Sequence, residues 1–227
     1  MSLVDLITDQ SQMQGRLAKI YGVVVGLVTN NQDPEELGRV KVKFPWLVES
    51  DESYWARLAV LMAGPERGTL FIPEVDDEVL VAFEHGDIRF PYVIGRLWNG
   101  VDKPPYANSD GNNDIRVIKS RSGHELKFDD NQDAAKLEIL TASGHKIILE
   151  DESGSEKISI IDQSGNNKVI IDSAAGEISI ESENKITLKS REIEIKSDAG
   201  AKIESGSSMD IKAGGQLTLK GATVNIN

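Results

Sequence analysis

Two histidines of this chain each follow a Ser-Gly pair, His124 in SGHE and His145 in SGHK. A serine close to a histidine is the pairing that nucleophilic hydrolysis uses. The same turn recurs as SGS at 153–155 and SGN at 164–166, so the histidine occupies a variable turn position and no catalytic residue is expected there. His85 in FEHGD stands between Glu84 and Asp87, types that together can hold a metal ion, but a hairpin loop is the plainer reading. The acidic clusters Asp76/Asp77/Glu78, Asp129/Asp130 and Glu150/Asp151/Glu152 lack the spacing of a calcium-binding loop and read as solvated. AGG at 213–215 precedes neither a Lys-Ser/Thr step nor a helical pattern, so it is a corner rather than a phosphate loop. No cofactor and no resident metal is expected, and the chain reads as a non-enzyme.

Composition narrows the alternatives further. The 227 residues include 37 acidic against 25 basic side chains, a formal net charge of −12 that repels phosphate backbones and anionic membranes. Cysteine is absent, so disulfides and thiolate metal sites are excluded. No apolar run reaches the roughly 20 residues a membrane-spanning helix needs. MSLVDLITDQSQMQGR lacks the basic start and apolar centre of a signal peptide, which implies synthesis in the cytoplasm without a secretory leader.

Four segments follow from pattern. Residues 1–20 place Leu3, Leu6, Ile7, Met13, Leu17 and Ile20 at loosely helical spacing, a short helix or docking arm, or a terminus packed on its own domain. Residues 21–98 break into short apolar runs; Val40, Val42 and Phe44 alternate with Arg39, Lys41 and Lys43, so one face meets a core and the other meets water. About five such strands make a small closed barrel of the OB type, with DPEEL and EHGDIRFP as hairpin loops. Residues 99–114, rich in Pro, Gly, Asn and Asp, form a linker.

From 115 to 227 apolar residues return in pairs. Ile115/Val117, Leu126/Phe128, Leu137/Ile139, Ile147/Leu149, Ile158/Ile160, Val169/Ile171 and Ile178/Ile180 follow at nine to eleven residues, then Ile186/Leu188, Ile193/Ile195, Ala201/Ile203, Met209/Ile211, Leu217/Leu219 and Val224/Ile226 at seven or eight. Each unit is a strand roughly 16 Å long at about 3.3 Å per residue plus a short turn, with one dry and one wet face. An eight-residue unit cannot travel around a core of its own. If three chains each supply one side, every pair points at a shared axis, giving a homotrimeric, intertwined triangular β-helix or β-prism needle. An antiparallel meander within one chain is the alternative, though Asn-Gly and Asp-Gly hairpin turns are scarce. An ion on the axis of such a trimer stays open. The fold class is thus all-β: OB-fold barrel, then β-prism needle, behind a short N-terminal helix or arm.

GRVKVKFPW (38–46), YWARLAV (54–60), GTLFIPEVDDEVLVAFEHGDIRFPYVIG (68–95), KPP (103–105) and SGHELKFDD (122–130) together resemble the baseplate spike proteins of contractile-tail phages and the VgrG-like spikes of type VI secretion and extracellular contractile injection systems. The resemblance runs through nearly the whole chain after residue 20. It implies a structural central spike, assembled into a phage-like baseplate, that joins hub and tube to a tip and pierces the target envelope on sheath contraction. Only about twenty residues precede the barrel, which implies a hub on a separate protein, faced by Leu3, Leu6, Ile7 and Leu17. Residues 99–114 leave no space for the lysozyme domain some members insert, so no muralytic activity is implied. No histidine follows His145, so the iron-binding His-x-His tip of some short spikes is absent; a PAAR-type tip protein seated on Leu217, Leu219, Val224 and Ile226 would complete the end, unless Asn225 and Asn227 simply close it. The trimer axis would be lined by Leu126, Phe128, Leu137, Ile139, Ile147, Leu149, Ile158, Ile160, Val169, Ile171, Ile178, Ile180, Ile186, Leu188, Ile193, Ile195, Ile203, Met209 and Ile211.

Two other classes stand beside this one. A single-strand nucleic-acid barrel would want a basic groove with exposed aromatics; Trp46, Tyr54, Trp55 and Trp98 are present, but the acidic balance speaks against nucleic acid. A trimeric β-helical fibre that binds or degrades polysaccharide is the remaining alternative.

Overall fold

A computed structural model describes residues 19–46 and 52–225. Leu3, Leu6, Ile7 and Leu17 of the expected arm lie outside the described residues, as does Ile226. The described structure is all β apart from a 3-10 turn at Glu84–Gly86, and no helix in it is long and apolar enough to cross a membrane.

Seven strands form the first unit: β1 (Val24–Asn30), β2 (Lys41–Lys43), β3 (Arg57–Leu58), β4 (Ala63–Gly64), β5 (Arg67–Gly68), β6 (Glu78–Phe83) and β7 (Pro91–Arg96). Five of them make one sheet in the order β2-β1-β6-β7-β3, parallel only between β3 and β7, while β4 and β5 pair as a separate hairpin. The sheet closes on itself. Val40 N–H donates to the Ala56 carbonyl at 3.0 Å and Ala56 N–H to the Val40 carbonyl at 2.7 Å, bridging the start of β2 to the start of β3. This is the closed OB-type barrel that the alternating pattern calls for.

Alternation fills the barrel as the period of two requires. Val79, Val81 and Phe83 of β6 point inward with Val28, Val40, Val42, Phe44, Ala56 and Val93, all buried. Gly26 is needed for close approach, because a Cβ there would stand 2.3 Å from Val42 Cγ1. The DPEEL loop is organised by Asp33, whose carboxylate accepts from Arg39 Nε at 2.8 Å, Arg39 Nη2 at 2.7 Å and the backbone N–H of Leu37 at 3.1 Å. The Arg39 guanidinium holds this carboxyl far below its ordinary range.

After β7 come seven strands of five residues: β8 (Ile115–Lys119), β9 (Glu125–Asp129), β10 (Lys136–Leu140), β11 (Lys146–Glu150), β12 (Lys157–Ile161), β13 (Lys168–Asp172) and β14 (Glu177–Glu181). They pair in sequence order, every neighbour antiparallel. Over 115–181, therefore, the nine-to-eleven-residue repeat takes the meander form. These strands satisfy their ladders within one chain, and the need for partner strands derived from the eight-residue unit does not reach them.

The turns explain why. Gly123 N–H donates to Ser120 O at 3.0 Å, Gly144 N–H to Thr141 O at 2.9 Å and Gly165 N–H to Asp162 O at 3.1 Å, and all three glycines have positive φ. A Ser, Thr or Asp opening the turn accepts a further bond with its side chain: His124 N–H to Ser120 Oγ at 3.0 Å, His145 N–H to Thr141 Oγ1 at 3.0 Å, Asn167 N–H to Asp162 Oδ1 at 3.2 Å. The hairpin signal was thus Ser-Gly at the end of a longer turn, not Asn-Gly in a two-residue one.

Candidate functional site

Register decides what the meander presents. Leu137 stands opposite both Phe128 and Leu149, Ile139 opposite both Leu126 and Ile147, and the pattern continues through Ile158/Ile171/Ile178 and Ile160/Val169/Ile180. Every apolar pair from Leu126 to Ile180 therefore falls on one face, in two parallel columns. Cross-strand pairing of β-branched and aliphatic side chains is the favourable arrangement for such a surface.

That face is open in the single chain. Phe128, Ile139, Ile147, Leu149, Ile158, Ile160, Ile171, Ile178 and Ile180 are all exposed, while Leu126, Leu137 and Val169 are half-buried. A contiguous apolar surface of this extent marks a contact surface. Part of it is a shallow depression of about 490 Å³ whose lining includes Ile139, Ile147, Ile160, Val169, Ile180 and Ile186, so the columns run on past the last paired strand.

One expected pair does not belong to it. Ile115 and Val117 lie opposite Asp129 and Lys127, on the other face; Ile118, opposite Leu126, takes the apolar column, with Arg116 opposite Phe128. The correction follows from period two: IRVIK offers apolar residues on both faces, and only the register with β9 chooses between them.

The second face carries charged ladders beside Leu140, Ile148, Ile161 and Ile170. Lys157 Nζ meets Asp172 at 3.2 Å, Lys168 meets Glu181 at 3.0 Å and Lys119 meets Glu125 at 2.5 Å, each pair opposite across a ladder. At its centre Glu138 is buried beside Lys127, with Lys136 Nζ at 3.5 Å. Burial opposes ionisation of Glu138, but the Lys127 ammonium outweighs it and keeps the carboxyl below its ordinary range. Tyr106 donates to Glu125 Oε2 at 2.9 Å, and Arg121 of the first turn meets Glu74 of the barrel at 3.0 Å.

Residues 182–225 differ. They form no strand with their own chain, and no backbone-to-backbone hydrogen bond joins two of them among the described residues. Ile186, Leu188, Ile193, Ile195, Ile203, Met209, Ile211, Leu217, Leu219 and Val224 are all exposed. Serine side chains clasp successive turns: Ser182 Oγ to Lys185 O at 3.2 Å, Ser197 Oγ to Gly200 O at 2.6 Å and Ser205 Oγ to Ser208 O at 2.7 Å. Backbone groups that are to leave water need partners, and here the own chain supplies almost none.

The residues with possible chemistry are engaged structurally. His124 Nδ1 accepts the backbone N–H of Ala142 at 3.2 Å, and His145 Nδ1 accepts that of Gln163 at 3.2 Å. An imidazole accepting at Nδ1 carries its proton on Nε2, so neither nitrogen is offered as a general base toward a serine. Glu84 accepts from Tyr92 Oη at 2.5 Å and Asp87 is paired with Arg89 at 2.6 Å, which leaves His85 without the convergent carboxylates a metal would want. The sequence reading missed the role of Asn167, whose Oδ1 accepts from Glu183 N–H at 3.2 Å and Ser182 Oγ at 3.0 Å. Its position immediately before a strand, shared with the two histidines, was the available signal.

Residues 24–98 match the family described as the type VI secretion system/phage-baseplate injector OB domain. The chain is similar to the type VI secretion system spike protein VgrG2a of Pseudomonas aeruginosa, 38% identical over 116 residues, which cover 47% of this chain and 14% of that protein. It is 33% identical over 124 residues to the spike protein VgrG3 of Vibrio cholerae, covering 49% of this chain and 12% of that protein. With VgrG1a of Pseudomonas aeruginosa the identity is 32% over 129 residues, 52% of this chain and 20% of the relative. The chain thus spans a small part of the relatives it matches.

Proposed function

We propose that this chain is the central spike of a contractile injection apparatus, a non-enzymatic homotrimer. The observation that carries the proposal is the two-column apolar face, open over the six strands β9–β14 and continued by repeats without pairing in their own chain. Three such faces turned inward bury both columns, and three C-terminal segments wound together give residues 182–225 the backbone partners they lack. The charged ladders then face water.

The likeness of residues 24–98 to injector OB domains supports reading the barrel as part of such an apparatus. Residues 1–20, with Leu3, Leu6, Ile7 and Leu17, engage hub and tube proteins; Leu217, Leu219, Val224 and Ile226 seat a PAAR-type tip; contraction drives the assembly into the target envelope. A shaft whose chains must unwind from one another before any can leave is kinetically stable, which suits a piercing device. The relatives' names include an actin cross-linking toxin, VgrG1, which matches this chain over only 7% of its own length.

Light scattering on the full chain tests the proposal. The expected mass is that of three chains of 24.8 kDa, and placing Glu at both Ile147 and Ile160 reduces it. A stable monomer of the unaltered chain overturns it.

A further inference from the structure

We infer that the groove between the β4–β5 hairpin and the barrel is the seat of the chain's own first eighteen residues. This gives the arm assigned above to hub and tube a second contact, on its own barrel, from which a hub that engages Leu3, Leu6 and Ile7 has to take it. The contact lies within one chain and stands apart from the trimeric reading.

The hairpin stands off the barrel and walls a cavity of about 1090 Å³. Met62, Leu70 and Phe71 line it from the hairpin side, Tyr54 and Leu58 from β3 and its approach, and Phe90 from the turn between β6 and β7. All but Leu58 are exposed, Leu70 by 79%. An open apolar concavity of this size on a small barrel marks a contact surface.

The chain enters the described structure beside this groove. Ile20 N–H donates to Gly86 O at 2.9 Å, and a Cβ added at Gly86 would stand 3.1 Å from Lys19 Cβ. The Asp87 carboxyl is lowered to about 2, first by Arg89 and further by the Lys19 ammonium nearby. Asp87 pairs with Arg89 at 2.6 Å, and Arg89 and Phe90 line the groove. Gly86 and Arg89 are three residues apart, at most about 11 Å of chain. Eighteen residues wound as a helix span about 27 Å, enough to cross the groove from there.

The segment also fits in kind. Leu3, Leu6, Ile7, Met13 and Leu17 supply apolar side chains at helical spacing. Of the cationic lining residues, Arg39 and Arg89 are neutralised by Asp33 and Asp87. Arg57 and Arg67 form no ion pair among the described residues, and Glu66 is the one acidic residue among those described in the lining. The segment carries Asp5, Asp9 and Arg16. Two acids and one base thus meet two bases and one acid.

Leu6→Cys introduces a single thiol into a chain without cysteine, and a benzophenone maleimide placed on it samples what lies against the arm in the full chain. Irradiation is expected to give adducts at residues 54–58, 62–71 or 89–90 within the same chain, which then keeps the mass of one chain under denaturing conditions. Adding Leu70→Glu, on an exposed side chain, should abolish those adducts. Adducts elsewhere, covalent dimers that place the arm on another copy, or a yield that Leu70→Glu leaves unchanged overturn the inference. The solution mass is read separately: a monomer that gives the expected adducts overturns the trimer and keeps the seat, and a trimer without them does the reverse.

Discussion

His145 Nδ1 accepts the backbone N–H of Gln163 at 3.2 Å across eighteen residues of sequence, joining two hairpin turns on the same edge of the sheet. His124 does the same to Ala142 and Asn167 to Glu183, so one acceptor precedes each of β9, β11 and β13. Strand ladders tie each strand to the next; these bonds tie each turn to the turn two strands further on. Asn167 carries the lacing to Ser182 and Glu183, where pairing within the chain ends.

Replacing His145 by Phe removes the acceptor while keeping a ring. The expected loss is about 1 kcal/mol, the size of one net hydrogen bond, read as faster unfolding of the protein in denaturant. His145→Asn, which mimics the Asn167 position, should recover most of it. Equal losses for Phe and Asn would show that the imidazole acts by packing rather than as an acceptor.

Buried Glu138 and half-buried Lys127 form an ion pair on the charged face. Glu138→Ala leaves the ammonium without its main partner and is expected to destabilise by about 2 kcal/mol, less than the full cost of a deep unpaired charge because Lys127 reaches water. The double replacement Lys127→Met with Glu138→Leu should come out near neutral. Denaturation midpoints of the native chain, Lys127→Met, Glu138→Leu and the double replacement measure the coupling, and additive single losses would mean the pair is not coupled.

Asp162 opens the turn between β12 and β13, and its carboxyl is lowered to about 2, first by the Asn167 side-chain amide and then by the Ser164 hydroxyl. A depressed carboxyl contributes stability that is fully present above its unfolded value of roughly 3.9 and is lost as pH falls through the folded value. The difference in stability between the native chain and Asp162→Asn should therefore be constant from pH 7 to about 5 and shrink between about 4 and 2. A difference unchanged at pH 2.5 would show that the turn does not depend on the ionised form.

The barrel was legible because its signal is local. Val40, Val42 and Phe44 alternate with charged residues, and all three are buried where the pattern puts them. Closure through Val40 and Ala56 was not legible as a contact, since it joins residues whose neighbours give no sign of each other.

In the shaft, period and pairing separate. The amino-acid order alone determined that the recurring apolar pairs of a unit share one face, because alternation along a strand is a property of the backbone. It also carried the change from an eleven-residue to an eight-residue repeat, which falls where strand pairing within the chain stops. Only the tertiary structure decided that Ile118 rather than Ile115 and Val117 joins the apolar columns, because a one-residue change of register exchanges the faces and IRVIK is apolar on both. Only it gave His124 and His145 their roles, since the groups they bind lie eighteen residues away and are brought near by the fold of the meander.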